Sequence, residues 1–301
     1  MTADAIPGTV EQRTVDILLR RVSLHGLTID VLGPRILQRT VNLVFSAYPT
    51  ANSTRAADFE VVAARVPGSR NAWFVTSGER VQPANFGVST AARWTEWMVI
   101  SEALKRWTEF VHVHAGLVST STQSGLLIGR SGSGKSTTTV ALALEGMQLF
   151  SDDVALVDRS TMRPFCVPRP VKLDTNARRR LRPRGLVIPR GSWLGESIDR
   201  TVMPALPPVT DPGPPVTTAV FFADDRQPTP LLRQITGAEA VMRLIQQSAS
   251  ETFDAFGPSD GAVALVNSVR CYELAAGDLD STVCTLQEIL DQRHMCHAGN
   301  G

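Results

Sequence analysis

The sequence predicts an α/β protein in two parts, a small α+β unit over residues 1–107 and a larger α/β unit over residues 108–301. Three observations carry this reading. Residues 129–136, Gly-Arg-Ser-Gly-Ser-Gly-Lys-Ser, fit the phosphate-binding pattern G-x-x-x-x-G-K-[ST] without a departure. The apolar run Gly125, Leu126, Leu127, Ile128 before it reads as a strand, and residues 137–144 after it read as a buried helix, which is the context the pattern requires. An acid pair, Asp152-Asp153, follows at the end of a further apolar strand.

In chain order, residues 20–30 alternate apolar and polar around His25-Gly26 and predict a strand pair. Gly33-Pro34 opens a helix with Ile36, Leu37, Val41, Val44 and Phe45 on one face. Residues 59–66 and 72–76 are short strands closed by turn residues. Residues 91–107 form a helix whose Trp94, Trp97, Met98, Ile100, Leu104 and Trp107 make a broad apolar stripe. Such a stripe is core rather than a ligand box, because large aromatics dominate buried area.

From Phe110 the pattern changes. Residues 111–118 are an alternating strand containing His112 and His114, residues 119–124 turn, and 125–128 return into the glycine loop. Gly146 breaks the helix that follows, and residues 147–158 read as one strand carrying Asp152-Asp153. Residues 167–174 are extended, since each proline biases its predecessor away from helix. Arg178, Arg179, Arg180, Arg182 and Arg184 form a basic knot, read first as a solvated face and second as an anion receptor. Residues 203–217 are a proline-rich loop, and 218–223 and 231–235 are strands. Residues 237–248 and 257–268 are helices, 269–274 a strand and 278–292 a closing helix.

Composition narrows the function classes. Forty-three percent hydrophobic and 20% charged residues suit a protein with a real core. Thirty basic and 29 acidic side chains nearly cancel, so no global field draws the chain to nucleic acid or to an anionic membrane. The first eight residues lack the basic and apolar pattern of a secretory signal. Cys166, Cys271, Cys284 and Cys296 show no C-x-x-C spacing and are expected as reduced thiols. A cytoplasmic location follows as the expectation.

The glycine loop has a definite chemistry. Backbone amides of Gly129, Arg130, Ser131, Gly132, Ser133 and Gly134 would surround the phosphates of ATP, where glycine permits the needed backbone angles. Lys135 would reach the β- and γ-phosphates, Ser136 would ligate Mg²⁺, and the helix N-terminus running on into Thr137 would add its dipole. The acid pair can divide two further tasks. One carboxylate would hold the metal and the other would accept a proton from an incoming hydroxyl. Only 16 residues lie between Lys135 and Asp152, room for one helix, a turn and a strand.

With these stretches the chain resembles the HPr kinase/phosphorylase family and its HPr-kinase-related branch, which share a fold with phosphoenolpyruvate carboxykinase. The matching stretches are Val113-His114-Ala115-Gly116-Leu117-Val118, residues 129–136 and Ser151-Asp152-Asp153. More moderate matches are residues 167–173, 216–222, 271–274 and 277–280. The resemblance covers about residues 110–292. It implies a carboxykinase-like phosphate-loop kinase core, an ATP- and Mg²⁺-dependent transfer to an alcohol, and a peptide or protein serine as acceptor. A small-molecule hydroxyl is the alternative acceptor. The resemblance also places His114 near the phosphates, Asp152 on the metal and Asp153 as base, with exchange of the two acids left open. Arg169, stiffened between Pro168 and Pro170, is a candidate phosphate or substrate contact.

The chain departs from the family in two places. Thr137 stands where HPr kinase has Glu after the loop serine, and residues 184–189 match the family's dephosphorylation stretch only loosely. Both weaken a phosphorylase activity or HPr as acceptor. Two readings from other classes stay open at this stage. One is a nucleotide-gated binding protein without transfer, and the other is a carboxykinase-type enzyme, for which the chain is short. The family forms assemblies, but the sequence shows no self-complementary surface, so a homo-oligomer stays open.

Overall fold

The computed structural model describes residues 17–52, 54–84, 87–188, 193–194, 200–202, 206, 209, 211–250 and 260–291. Met1 to Gly8, Pro189, Pro204, Pro207, Pro208, Gly257 and Cys296, which entered the sequence reading, lie outside the described residues. The fold is mixed α/β and divides into two compact units, Met1–Ala103 and Leu104–Gly301.

The first unit is built on a five-stranded sheet. Its strands are β1 (Ile17–Leu24), β2 (Leu27–Gly33), β3 (Phe59–Arg65), β4 (Trp73–Ser77) and β5 (Arg80–Ala84), in that spatial order. β2 and β3 run parallel and the other pairs antiparallel. The β1–β2 turn falls at His25-Gly26, both at positive φ (42° and 83°). The expected helix after Pro34 is a 3-10 turn (Arg35–Leu37) that runs into α1 (Gln38–Val44), which packs on β1. Ile36, expected on its buried face, is 60% exposed, because the tighter turn rotates it away from Leu37 and Val41. α2 (Val88–Leu104) begins before and ends before the predicted helix. Trp94 and Trp97 on it are half-buried and meet edge to face at 5.1 Å. The guanidinium of Arg80 stands 4.6 Å from the Trp97 ring, so part of the stripe contacts a cation. β5 went unread because Pro83 lies within it, and proline is tolerated on an edge strand.

The second unit holds an eight-stranded sheet. Its strands are β6 (Phe110–Ser119), β7 (Ser124–Ile128), β8 (Gln148–Ser151), β9 (Val154–Asp158), β10 (Pro164–Phe165), β14 (Val216–Phe222), β15 (Leu231–Ile235) and β16 (Arg270–Ala275). Between β10 and β14 the chain makes a small sheet of β11 (Val171–Leu173), β12 (Trp193–Leu194) and β13 (Arg200–Val202). The helices are α3 (Lys135–Leu144), α4 (Thr175–Leu181), α5 (Gly237–Ser250), α6 (Asp260–Ser268) and α7 (Leu279–Asp291). The main order is β10-β9-β6-β7-β14-β16-β15, with β8 also on β6. β7, β14 and β16 are parallel neighbours at its centre.

The central strands are apolar on both faces because both faces are covered. Leu126, Ile128, Ala219 and Phe221 join one core with Leu244 of α5 and Leu265 of α6. Leu127, Val220 and Phe222, from the alternate positions, join a second core with Leu142 of α3, Leu181 of α4 and Leu286 of α7. α3 is thus fixed against the sheet directly behind the loop that precedes it. No helix among the described residues is long and apolar enough to cross a membrane.

Gly116 on β6 is where α3 comes nearest to the sheet. A β-carbon there would collide with Oγ1 of Thr139 and stand 3.2 Å from its Cβ and Cγ2. Both residues are buried. Gly116→Ala is therefore expected to lower stability by about 1–3 kcal/mol, and Thr139→Ala in the same chain should recover part of the loss. Urea unfolding of the single and double variants checks this, and equal losses in both would contradict it.

Candidate functional site

The glycine loop leaves the carboxyl end of β7 and enters α3. Gly132 and Gly134 have φ of 84° and 98°, backbone that a side chain strains. Gly134 caps α3, and the Thr138 amide donates to its carbonyl at 2.9 Å. The amides of Lys135, Ser136 and Thr137 precede that bond and so have no acceptor within the helix. Ser133 turns back, its amide donating to Arg130 O at 3.1 Å. Arg130, Ser131 and Gly132 are exposed, and Arg130 lies 3.4 Å from Asp224.

Lys135 is only 5% exposed. Its Nζ donates to Gly129 O at 3.3 Å and lies 2.6 Å from Nε2 of His114. A protonated amine has only protons to offer, so Nε2 accepts from Lys135 and Nδ1 is left to face the acid pair. That nitrogen stands 3.1 Å from Asp153 Oδ1. The other carboxylate oxygen of Asp153 accepts from Arg169 at 2.7 Å. Lys135, His114, Asp153 and Arg169 therefore stand in one row from loop to acid pair, hydrogen-bonded at its two ends and joined between His114 Nδ1 and Asp153 by an ion-pair distance without hydrogen-bond geometry.

The acid pair follows the end of an apolar strand, β8, as the sequence suggested. The predicted strand over residues 147–158 is broken into β8 and β9, with Asp152 and Asp153 in the break. The cause is local. Ser151 Oγ accepts from the amides of Asp153 and Val154 at 3.0 and 2.8 Å, a serine turn that competes with the sheet ladder. β9 pairs with residues 110–114 of β6 and β8 with residues 117–119, so the break falls beside Ala115 and Gly116. The Ala115 amide donates to Asp153 O at 3.1 Å across that gap.

The two acids have different surroundings. Asp152 is 5% exposed, and Ser136 Oγ donates to its backbone carbonyl at 3.4 Å. Burial, and then the charge of Asp153, push the Asp152 carboxyl up to about 7. Asp153 keeps 36% of its side chain exposed. Its burial also favours the neutral form, but Arg169, His114 and Lys135 outweigh this and hold it below the ordinary carboxylate range. His112, the other histidine of β6, is pushed down to about 4 by burial and stands outside the polar row.

Hard oxygen donors suit Mg²⁺, and this site offers Ser136 Oγ beside buried Asp152. Among the described residues no group of three or more His, Cys, Asp and Glu could hold a metal ion.

Sequence reasoning missed Ser151, whose hydroxyl shapes the break, and Arg226, whose guanidinium reaches Ser133 O at 3.4 Å. A serine two residues before an aspartate is a readable turn signal. Arg226 follows β14 and had no signal, since only the sheet order brings it to the loop. The basic knot is α4 and the turn Arg182–Arg184, and Arg184 pairs with Glu145 and Asp280.

No protein-family model matches the chain, and no curated protein matches it. Among solved structures, the Hpr(Ser) kinase/phosphatase from Coxiella burnetii is similar over 61% of this chain and 95% of its own, at 13% identity and a TM-score of 0.28. A likeness that distant carries no argument about family or activity. The protein is a mixed α/β fold whose glycine loop, lysine and acid pair come together beside the central strands β6 and β7.

A carboxyl whose folded pKa exceeds its unfolded value keeps its proton longer when folded, so stability falls as pH rises between the two. For Asp152 that window runs from about 3.9 to about 7. Asp153 acts oppositely, since its contribution is present above its unfolded pKa and is lost only as pH falls through its lower folded one. Asp152→Asn should therefore gain stability over wild type from pH 5 to 7, by up to about 1.4 kcal/mol per pH unit, and hold that gain to pH 8. Parallel denaturation curves for the two proteins across this range would contradict the assignment.

Proposed function

We propose that the protein is an ATP- and Mg²⁺-dependent phosphotransferase that moves the γ-phosphoryl group to an alcohol oxygen, with a serine of a peptide or protein as acceptor. The observation that carries this is the joining of Lys135 to Asp153 through His114, at 2.6 and 3.1 Å. A loop that only bound nucleotide would have no need of a carboxylate held at that end. The resemblance of residues 113–118, 129–136 and 151–153 to HPr kinase/phosphorylase supports the acceptor class, as does the carboxykinase-like core it implies.

In this reading the amides of residues 129–137 bind the triphosphate and Lys135 turns from His114 to the β- and γ-phosphates. Ser136 and Asp152 would hold Mg²⁺, which would supply charge neutralisation on the phosphate oxygens. Asp153, the more exposed acid, receives the proton of the acceptor hydroxyl at a carboxylate oxygen. Arg169 orients Asp153 through the opposite oxygen and offers a cation near the transferring group. Assigning Asp152 to metal and Asp153 to base is favoured by exposure, because a base must be reachable by an acceptor that arrives from solvent. His114 is a positioning residue, which takes the lysine proton contact on one nitrogen and faces the acid with the other.

The test is transfer from γ-labelled ATP into the proteins and metabolites of the host extract. Wild type is expected to label a discrete peptide or protein. Asp153→Asn should lower transfer by about 10²–10⁴-fold with ATP affinity within a few-fold of wild type, and Lys135→Ala should lose both. Label in a small metabolite would move the acceptor class and keep the chemistry. ATP binding without transfer would overturn the proposal and favour a nucleotide-gated binder, and full transfer by Asp153→Asn would overturn Asp153 as the base.

A further inference from the structure

An open cleft with about 320 Å³ of empty space, solvent at its mouth included, lies beside the glycine loop. Gly134 and Thr137 line it from the loop and α3, Arg180 from α4, Arg226 from the segment after β14, Gly277 from the segment after β16 and Thr282 from the first turn of α7. None of Lys135, His114, Asp152 and Asp153 does. The polar row and the cleft are thus two separate outlets of one loop.

We infer that this cleft receives the nucleoside half of the nucleotide, that Arg226 and Arg180 hold it, and that the site distinguishes adenine from guanine poorly. The inference rests on the glycine loop holding the triphosphate, as proposed above. Once the β- and γ-phosphates are at Lys135, the α-phosphate and its nucleoside must leave by another path. The cleft begins at the first turn of α3, where such a path starts.

Topology brings the walls to this place. β7, β14 and β16 are parallel, so the segments that follow them emerge at one end of the sheet. Open α/β sheets take ligands there, beyond the carboxyl ends of the strands. The two later segments are tied together, with Ala223 N donating to Leu274 O at 2.9 Å and Gln227 N to Ala276 O at 3.0 Å. This holds Arg226 over the loop, 3.0 Å from where a β-carbon on Gly134 would stand.

The chemistry of the lining sets the selectivity. A guanidinium is planar, donates hydrogen bonds, accepts none, and stacks on an aromatic face. Either purine offers that face and a ring-nitrogen acceptor. Guanine differs by presenting N–H donors on its pairing edge, and a carboxylate is the side chain that accepts from such a pair. Among the described residues the lining has two arginines and no carboxylate. The Ala276 carbonyl already accepts from Gln227. A half-open cleft with these groups holds a base by its face.

Equilibrium binding of Mg·ATP, Mg·GTP and inorganic tripolyphosphate to the full chain separates this inference from the reading beneath it. ATP and GTP are expected to bind within about threefold of each other, with tripolyphosphate weaker. Arg226→Ala and Arg180→Ala together should weaken ATP by about tenfold and leave tripolyphosphate unchanged, while Lys135→Ala weakens both. Unchanged ATP affinity in the arginine variants would overturn the cleft and leave the loop standing. Equal losses of ATP and tripolyphosphate would overturn it too, since Arg226 would then act only through Ser133 O. A preference above tenfold for one purine would refute the poor discrimination. If neither ATP nor tripolyphosphate bound wild type, the phosphate reading of the loop would fail first.

Discussion

The contact on which the site depends is the one between the buried amine of Lys135 and Nε2 of His114, at 2.6 Å. A charged amine at 5% exposure is costly unless neighbours accept its protons. Here the Gly129 carbonyl and the imidazole do so, and the imidazole passes the constraint on to Asp153. Lys135 opens α3, His114 sits on β6 and Asp153 lies between β8 and β9, so a single electrostatic requirement ties helix, strand and strand break together. Arg169 closes the row from outside the sheet. Two cations and two acids balance over one short path, which keeps one acid ionised while burial moves the other toward neutrality.

The fold supplies what this contact needs. β7 and β6 are antiparallel neighbours, so the loop leaving β7 at Ile128 stands beside Ala115 and therefore beside His114. α3 comes close to β6 because Gly116 has no side chain and Thr139 fills its place. Thr139 Oγ1 donates to Lys135 O at 2.7 Å, joining that packing contact to the residue that carries the charge. The break at Asp152-Asp153 then places the carboxylates on the same edge, because Ser151 diverts two amides from the ladder.

Much of this was legible in the sequence because it is local. The glycine spacing, the apolar run before it and the helix after it follow from short-range chemistry, as does the strand bearing His114. Elements with a clear period were placed within a few residues, among them α5, α7 and β16. The rest depended on partners far along the chain. The interruption between β8 and β9 looked like one strand because Leu149, Phe150, Val154 and Leu156 keep an apolar pattern through it. β5 was hidden by Pro83, and the start of α1 by a 3-10 turn that exposes Ile36. Arg226 reaches the loop, and Arg180 the cleft beside it, only through the order of parallel strands and the packing of α4. The basic knot therefore has two characters: Arg184 pairs with acids, and Arg180 lines a cleft.

The central claim is that the loop, Lys135 and the acid pair act on one triphosphate. A crystal structure with a non-hydrolysable ATP analogue and Mg²⁺ tests this most directly. The account predicts phosphates within residues 129–137, Lys135 Nζ moved from His114 to the β- and γ-phosphate oxygens, and the metal between Ser136 and Asp152. A nucleotide bound elsewhere, or one on the loop with Lys135 still on His114 and no metal at Asp152, would contradict it.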